Sequence, residues 1–429
     1  MCSANDFVIS PGYVINKNNP CFVIAEIGQN HQGDIQIAKQ LIDASKAAGA
    51  NCVKFQKSCL TEKFNVAALN RPYTGQHSWG KTYGEHKKYL EFSTEDFKEL
   101  QSYARNIGII FSASAMDCVS VDVLHDMDVP FLKIGSGDTN NFPLLEYAAT
   151  KNRPMVISTG MQDLETVRAV YTLMKKMNAN FSLLHCISSY PVPVEQINLE
   201  VINLYKSEFP DIQIGYSGHE LGTMVSVAAV AMGARDNVVR RESDGFAGPV
   251  CSEPIEHMGD ELQRLFHVKQ VAQQLYTREC KRSTEKSNTN SYVASIFRTN
   301  SSGYPVNFDR IIVERHITLD TSWKGTDHKS SLTPVEFSKM VQEIRELEKA
   351  LGKPEKKRQP SELDCFMKLG KTLVAGKYLK QGIPLQKEDI KIKVADPKGC
   401  PAESLNSILG KVLIRDVEED ESIMEDNVV

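Results

Sequence analysis

The stretch IIVERHITLD, residues 311–320, opens as a buried strand and changes character within three residues. Ile311, Ile312 and Val313 suit a sheet interior, yet Glu314, Arg315 and His316 follow directly. A strand that runs into charge is what a parallel barrel needs, because the barrel gathers the carboxyl ends of all its strands around one pocket. Whether this segment is the last strand of such a barrel decides the fold.

Working outward, similar apolar, β-rich runs recur along the chain. They are FVIAEI from Phe22, CVKFQ from Cys52, GIIFSAS from Gly108, FLKIGS from Phe131, MVIST from Met155, FSLLHC from Phe181 and IQIGYS from Ile212, with IIVERH as the eighth. Runs apolar on both faces, alternating with amphipathic helical segments, predict a parallel sheet covered by helices. Eight of them fit a closed (β/α)8 TIM barrel better than an open sheet. Helix punctuation agrees. Asp34 is placed to cap a helix with Ile37, Leu41, Ala44 and Ala48 on one face and Gly49 at its end. Thr333, Pro334 and Glu336 form a capping-box start, and Gly352 ends that run.

Two intervals break the alternation. RPYTGQHSWGKTYGEHKKYLEF, residues 71–92, follows CVKFQ and would rise over the active-site face of a barrel as a lid. The second interval runs from about Asp236 to Arg310 and is mostly polar. In it, KRSTEKSNTNS reads as disordered and GDELQRLFHVKQVAQQLY has helical apolar spacing. NVVRRESD, from Asn237, is a rival for the eighth strand and carries no histidine. With IIVERH as the strand, the insertion falls in a helix-to-strand connection, on the face opposite the chemistry. So long a connection is uncommon, and a faulty gene model or an alternative transcript would account for it.

The predicted organisation is a catalytic barrel over residues 1–351 with an insertion at about 236–310, a charged linker over 352–365, and a small β-rich domain over 366–429. The last rests on the runs KTLVAGKYL, DIKIKVA and KVLIRDV. Across 429 residues, 41% hydrophobic and 24% charged content is ordinary for a soluble globular protein. A net charge of -4 offers no basic face to track a phosphodiester backbone, so nucleic acid is not an expected partner. Small anionic ligands need only a local cluster of donors. No basic start leads into an apolar leader and no run approaches bilayer length, so no membrane partner and a cytoplasmic location are expected. Ten cysteines without CxxC spacing read as reduced core thiols.

Nearly every strand exit supplies a polar residue: Glu26, Lys54 with Gln56, Lys133 with Ser136 and Asp138, Ser158, Ser188 with Tyr190, Ser217 with His219, and Glu314 with His316. His219 and His316, from adjacent strands, can present imidazoles to one divalent ion, Mn2+ or Mg2+ rather than structural zinc, with water and substrate completing its shell. Singly, each reads equally as a hydrogen-bonded structural histidine. Lys54, Lys133, Ser136, Ser158, Ser188 and Ser217 suit a phosphate on a carboxylated small molecule. The competing account has the lysines paired with Glu26 and Asp138 to hold the barrel mouth together. Glu26, Asp138 and Asp327 can orient water or move protons, or form structural ion pairs.

In this order, VIAEIGQNHQGD, VKFQ, LKIGSGDTNNFP, VISTGM, GYSGHE and VERHITLDTSWKGTDH resemble the sialic acid synthase family, with further agreement through RPYTGQHSWGKTYGEHKKYLEFS and DPKG. The likeness runs from about Phe22 to Arg235, resumes at Ile311, and continues into a C-terminal module that resembles the antifreeze-like (SAF) domain. The segment from about Asp236 to Arg310 has no counterpart in it.

The resemblance implies a transferase of sialic acid biosynthesis, a metal-dependent condensation of phosphoenolpyruvate with N-acetylmannosamine 6-phosphate that releases inorganic phosphate. Mannose 6-phosphate or unphosphorylated N-acetylmannosamine are alternative acceptors, and a non-catalytic form inactivated by the insertion is the non-enzymatic alternative. By motif position, His219 and His316 would bind the ion, and Lys54, Lys133, Ser136, Ser158, Ser188 and Ser217 would hold phosphoenolpyruvate. Gln56 and Tyr190 join them as substrate-binding candidates, and Glu26, Asp138 and Asp327 would manage protons and hydroxyls. The lid's Lys81, His86, Lys87 and Lys88 are candidates for the sugar 6-phosphate. The resemblance also implies a homodimer in which each antifreeze-like module covers the other barrel's mouth. Where bacterial relatives start that module with an arginine reaching the sugar's N-acetyl group, this chain has Gly370 and Lys371, and lysine lacks the guanidinium fork.

Overall fold

The computed structural model describes residues 7–10, 13–15, 19–233, 311–352 and 356–429. A hairpin of β1 (Phe7–Ser10) and β2 (Tyr13–Ile15) leads into β3 (Phe22–Gly28), β4 (Cys52–Lys57), β5 (Ile110–Ala115), β6 (Leu132–Ile134), β7 (Met155–Ser158), β8 (Phe181–Cys186), β9 (Gln213–Gly218) and β10 (Ile312–His316). Strands β3 to β10 close into an eight-stranded parallel barrel, β10 lying between β9 and β3. The register runs from Ile312 opposite Phe22 to His316 opposite Glu26 on one side, and sets Glu314 opposite Ser217 on the other. IIVERH is therefore the closing strand. Its rival NVVRRESD, and the helical and polar segments read within 236–310, lie outside the described residues.

Side chains alternate across a strand, so the closing segment has two lives. Ile312 joins Phe22, Ile24, Cys52, Phe131, Val156 and Leu184 in an apolar cluster that fills the barrel near the strands' amino ends. Phe7, Ile9 and Ile15 of the hairpin pack on the same cluster, a closure the sequence reading did not anticipate. Two residues further along the inward face stands Glu314, and two beyond it His316. The outward face carries Val313, which belongs to the layer between strands and helices, and then Arg315. Apolar floor, polar mouth and a helix-facing arginine thus come from one five-residue strand.

The helices begin and end where their caps dictate. Asp34 accepts hydrogen bonds from the backbone N–H groups of Gln36 (2.7 Å) and Ile37 (3.2 Å), starting the helix Ile35–Ala47, which buries Ala38, Leu41 and Ile42. Gly49 follows at φ +85°, a left-handed conformation that glycine adopts without strain. Thr333 and Glu336 form a reciprocal capping box at the head of Pro334–Leu351, whose Phe337, Met340 and Ile344 are buried. The β4-to-β5 connection is more ordered than a loop: it holds the helices Leu60–Lys63, Val66–Asn70, Tyr83–Leu90 and Thr94–Ile107, with Thr82 and Glu85 boxing the third.

On either side of residues 234–310 the described chain ends touch. A Cβ placed on Gly233 would lie 2.1 Å from Ile311 Cγ2, so the chain leaves and re-enters at neighbouring points. Both points sit at the end of a helix and the start of a strand, away from Glu314 and His316.

The chain divides into two compact units, Met1–Gly352 and Lys353–Val429. In the second, a helix, Leu363–Leu369, begins within the segment read as linker. Strands β11 (Thr372–Ala375) and β12 (Ile390–Lys393) pair antiparallel over a core including Leu373, Leu379, Leu385, Leu413, Val417 and Ile423. The third expected strand, KVLIRDV, is not one. Val412, Leu413 and Val417 bridge singly to Pro384, Val428 and Leu379, so partners change at each step and no ladder forms. Among the described residues, no helix is long and apolar enough to cross a membrane.

Candidate active site

Inside the barrel, the inward-facing positions above the apolar cluster place four ionisable side chains in contact. Lys54 pairs with the Glu26 carboxylate and donates to Ser114 Oγ at 2.9 Å, with Glu314 Oε1 3.8 Å away. Lys133 Nζ lies 3.4 Å from the same Glu314 oxygen and donates to Ser158 Oγ at 2.8 Å. Ser217 Oγ donates to Glu314 Oε1 at 3.2 Å, while Glu314 Oε2 is buried without a hydrogen-bond partner. The lysines are thus tied to Glu26 and Glu314, and Asp138 takes no part in holding them.

Burial sets the protonation of this floor. It pushes Glu26 up to about 7, against the Lys54 ammonium, with Glu314 adding to the rise. Burial opposes ionisation of Glu314 too, but Lys133 and Lys54 together hold it down at about 2. For Lys54 burial is outweighed by Glu26 and Glu314, which keep it above the usual lysine range; Lys133 is pushed below that range by burial despite Glu314. With Glu26 protonated, the four groups carry a net charge of +1, a setting that favours an anion.

Two glycines let the surrounding side chains converge. A Cβ on Gly160 would lie 2.3 Å from Ser188 Oγ and 2.8 Å from Ser136 Oγ, and the Gly160 N–H donates to Ser136 Oγ at 3.0 Å. A Cβ on Gly28, at φ +56°, would lie 3.2 Å from both Glu26 Oε1 and Gln56 Nε2 and 3.5 Å from His316 Cε1. Gln56 donates to Glu26 at 3.1 Å, so Glu26, Gln56 and His316 meet over that glycine.

His219 and His316 face each other at the rim, their ring centroids 5.4 Å apart, and the Tyr190 ring lies 4.1 Å from that of His219. His219 Nδ1 is 2.8 Å from the Ile187 carbonyl, which can only accept. Nδ1 must then carry the proton, leaving Nε2 with a free lone pair, the arrangement typical of a metal-binding imidazole. His316 Nδ1 is buried with no hydrogen-bond partner. Among the described residues, no cluster of three or more His, Cys, Asp or Glu side chains stands ready for a metal. What the two histidines offer an ion is at most a pair of imidazole nitrogens, so the rest of its shell would have to come from other donors.

The remaining candidates of the barrel unit lie further out. Asp327, hydrogen-bonded by Thr326 Oγ1 at 2.8 Å, acts through its charge on His316 and Tyr190. Asp138 faces the lid, where burial pushes it up to about 6 against Lys63, with Asp117 reinforcing the rise. Lys81 is exposed, and Lys371 belongs to the second unit. His86 is buried among the rings of Tyr73, Trp79 and Tyr83, and burial, with help from Lys87, brings it down to about 4.

Sequence reasoning named Glu314 as a strand-exit residue but gave it no role, and passed over Ser114 and Gly160. The signal for the first two was period-two alternation: Glu314 shares its face with His316, and Ser114 lies opposite Lys133.

The sequence model of the NeuB family matches residues 41–238 and 308–356, and that of the SAF domain matches 370–429. The family pattern breaks off and resumes around the interval read as an insertion. The N-acetylneuraminate-9-phosphate synthases of Mus musculus and Homo sapiens are each 44% identical to this chain over 420 residues, spanning 98% of it and 96% of the relative. Among solved structures, the N-acetylneuraminic acid synthetase of Leptospira borgpetersenii, in complex with citrate, superposes with a TM-score of 0.56 at 26% identity, over 82% of this chain and 93% of that one. With its closed barrel, its mouth of paired lysines and carboxylates, and these likenesses over nearly its whole length, the chain belongs to the NeuB family and carries a SAF domain at its C-terminal end.

Proposed function

We propose that this chain is an N-acetylneuraminate-9-phosphate synthase, which joins phosphoenolpyruvate to N-acetylmannosamine 6-phosphate with the release of inorganic phosphate. The observation that carries the reading is the pair of buried lysines, Lys54 and Lys133, sharing the Glu314 carboxylate within a ring of serine hydroxyls. The relatives of that name, matched over nearly the whole chain, support it.

Lys54 and Lys133 would take the phosphate and carboxylate of phosphoenolpyruvate, with Ser136, Ser158, Ser188 and Ser217 donating to the same oxygens. Fixing the donor this way turns the meeting of two like-charged reactants into a positioned one, which lowers the barrier by pre-arranged geometry and electrostatics. C3 of the donor attacks the aldehyde carbon of the open-chain sugar, forming the C–C bond, and the aldehyde oxygen becomes a hydroxyl on gaining a proton. Water adds to C2 and gives up a proton, and the C2–oxygen bond breaks to release phosphate.

Glu26, pushed up to about 7, is near balance between acid and carboxylate at neutral pH and suits it to give or take one of these protons, oriented by Gln56. Asp327 and Asp138 stand further out, where the sugar would lie. His219 and His316 would hold a divalent ion, Mn2+ or Mg2+, whose contribution when bound is Lewis acidity toward the sugar carbonyl.

The test is an incubation of the purified chain with both substrates and Mn2+. The expected result is one phosphate per molecule of a nine-carbon 2-keto acid phosphate, identified by mass spectrometry, and neither when the sugar is omitted. A folded preparation that releases no phosphate with the complete mixture overturns the proposal.

A further inference from the structure

The lid holds a pair of cations of which the sequence reading named Lys87, among others, for the sugar 6-phosphate and passed over Lys63. Lys63 ends the helix Leu60–Lys63 and Lys87 lies in the helix Tyr83–Leu90; both are half-buried, and neither has an ion-pair partner among the described residues. The rings of Phe64 and Tyr83 meet edge to face, 5.5 Å apart. Lys63 Nζ lies 5.2 Å from the Phe64 ring centre and Lys87 Nζ lies 5.6 Å from that of Tyr83. Each ammonium therefore sits by one ring of a single aromatic pair, and the charge of Lys63 is felt at Lys87.

Their position is over the barrel mouth. Lys87 donates to Gln29 Oε1 at 2.8 Å, one residue past the end of β3. Its charge interacts with Asp327, the residue whose charge also acts on His316. Lys63 interacts with Asp138, just beyond β6. Asp138 and Asp327 act on the pair through charge without forming an ion pair with it among the described residues, and the other two nearby carboxylates are engaged elsewhere. Glu91 takes Lys57 at 2.6 Å and the Ser58 hydroxyl at 2.7 Å. Asp117 accepts from the Cys59 and Ser120 N–H groups.

Burial pushes both ammoniums below the usual lysine range, and for Lys87 the nearby Lys63 adds to the fall. A dianion placed between them would relieve that repulsion, and the lid's other lysines, Lys81 and Lys88, are exposed instead.

We propose that Lys63 and Lys87 form the subsite for the acceptor's terminal phosphate, so that the lid selects a phosphorylated sugar over the free one. The inference rests on the synthase reading above and deepens it. Serines and floor lysines bind the donor, and the lid lysines bind the far end of the acceptor, separating the two anions to opposite sides of the reacting carbons.

Steady-state kinetics of the wild-type chain, Lys63→Gln and Lys87→Gln with N-acetylmannosamine 6-phosphate and with N-acetylmannosamine tests this. The wild type should prefer the phosphorylated sugar, and each variant should raise KM for it by about tenfold or more, consistent with losing a charge-assisted contact. KM for phosphoenolpyruvate should stay within about twofold, on the same ground that the donor lysines are untouched; Lys87→Arg should keep the preference. Variants that retain it, a parallel rise in KM for phosphoenolpyruvate, or a wild type that uses both sugars equally overturn the inference alone. A wild type inert with both sugars removes the synthase reading itself. A second measurement needs no variant: reductive methylation of the wild type, read by mass spectrometry, should spare Lys63 and Lys87 when the sugar phosphate is present and not when the free sugar is. Equal labelling overturns the subsite.

Discussion

Arg315 Nη1 lies 2.6 Å from Glu220 Oε1, and both side chains are completely buried on the outer face of the barrel. The guanidinium also donates to the Glu220 and Gly222 carbonyls and to Ser226 Oγ, while Tyr216 and Ser226 donate to the Glu220 carboxylate. Its sequence neighbour Glu314 points the other way, toward Lys54 and Lys133. The charged pair at the end of a hydrophobic strand is therefore two separate devices, one locking β10 to the segment after β9 and the other lining the mouth.

Breaking the outer device should cost stability rather than chemistry. Arg315→Met leaves Glu220 buried and unpaired, a loss of about 3–5 kcal/mol. Arg315→Met with Glu220→Met removes both charges and should recover much of that loss. Urea unfolding of the single and double variants checks this; a double variant as unstable as the sum of two singles contradicts it.

Gly160→Ala should act on donor binding. The added methyl would fall 2.3 Å from Ser188 Oγ, so that hydroxyl and Ser136 must move apart. Overpacking of this kind costs about 1–3 kcal/mol, or roughly tenfold in affinity for phosphoenolpyruvate. Titration with phosphoenolpyruvate, watched by protein fluorescence, would expose the idea as mistaken if the alanine variant bound it as well as the wild type.

His31 should set part of the acid sensitivity. It is stacked on Phe92 at 4.1 Å and accepts from the Gly33 N–H, and burial lowers it from 6.5 to about 3. The unfolded chain therefore binds this proton first as pH falls, so the stability contributed by a neutral His31 is whole above pH 6.5 and drains away toward pH 3. The slope from this group is about 1.4 kcal/mol per pH unit within that window. His31→Phe should flatten the stability curve there, measured by urea unfolding at stepped pH; parallel curves for the two proteins argue against it.

Removing residues 236–310 should leave a folded, active barrel. Gly233 and Ile311 already touch, and Ala234 with Arg235 are enough to join them. Both ends lie away from the mouth, where insertions in a barrel spare the chemistry. The shortened chain should match the full one in phosphate release and in melting temperature; activity in the shortened form only would mean that the insertion inactivates the enzyme.

Much of this was legible in the sequence, for reasons that can be named. Strands buried on both faces appear as continuous apolar runs, and eight of them, with Asp34 and Thr333 punctuating helices, lead to the barrel. The end of each run exposed Glu26, Lys54, Lys133, Ser158 and His316, because a parallel barrel brings strand exits together. What stayed hidden depended on contacts distant in sequence. Phe7, Ile9 and Ile15 form a hairpin whose packing against Phe22 and Phe131 no local pattern announces. The run KVLIRDV has strand composition but finds a new partner at each step. Glu314 drew no role because its two lysines come from β4 and β6. Lys63 gains meaning only when Phe64 meets Tyr83 across the lid.

The most direct test of the central claim, that Lys54 and Lys133 hold phosphoenolpyruvate for carbon–carbon bond formation and not for phosphoryl transfer, is to follow its bridging oxygen. Phosphoenolpyruvate labelled with 18O between C2 and phosphorus is turned over with N-acetylmannosamine 6-phosphate and Mn2+, and the released phosphate is weighed by mass spectrometry. Cleavage at C2 carries the heavy oxygen into inorganic phosphate, and that is the predicted result. Label left on the organic product, with unlabelled phosphate, would mean that the phosphorus–oxygen bond breaks and would contradict the account.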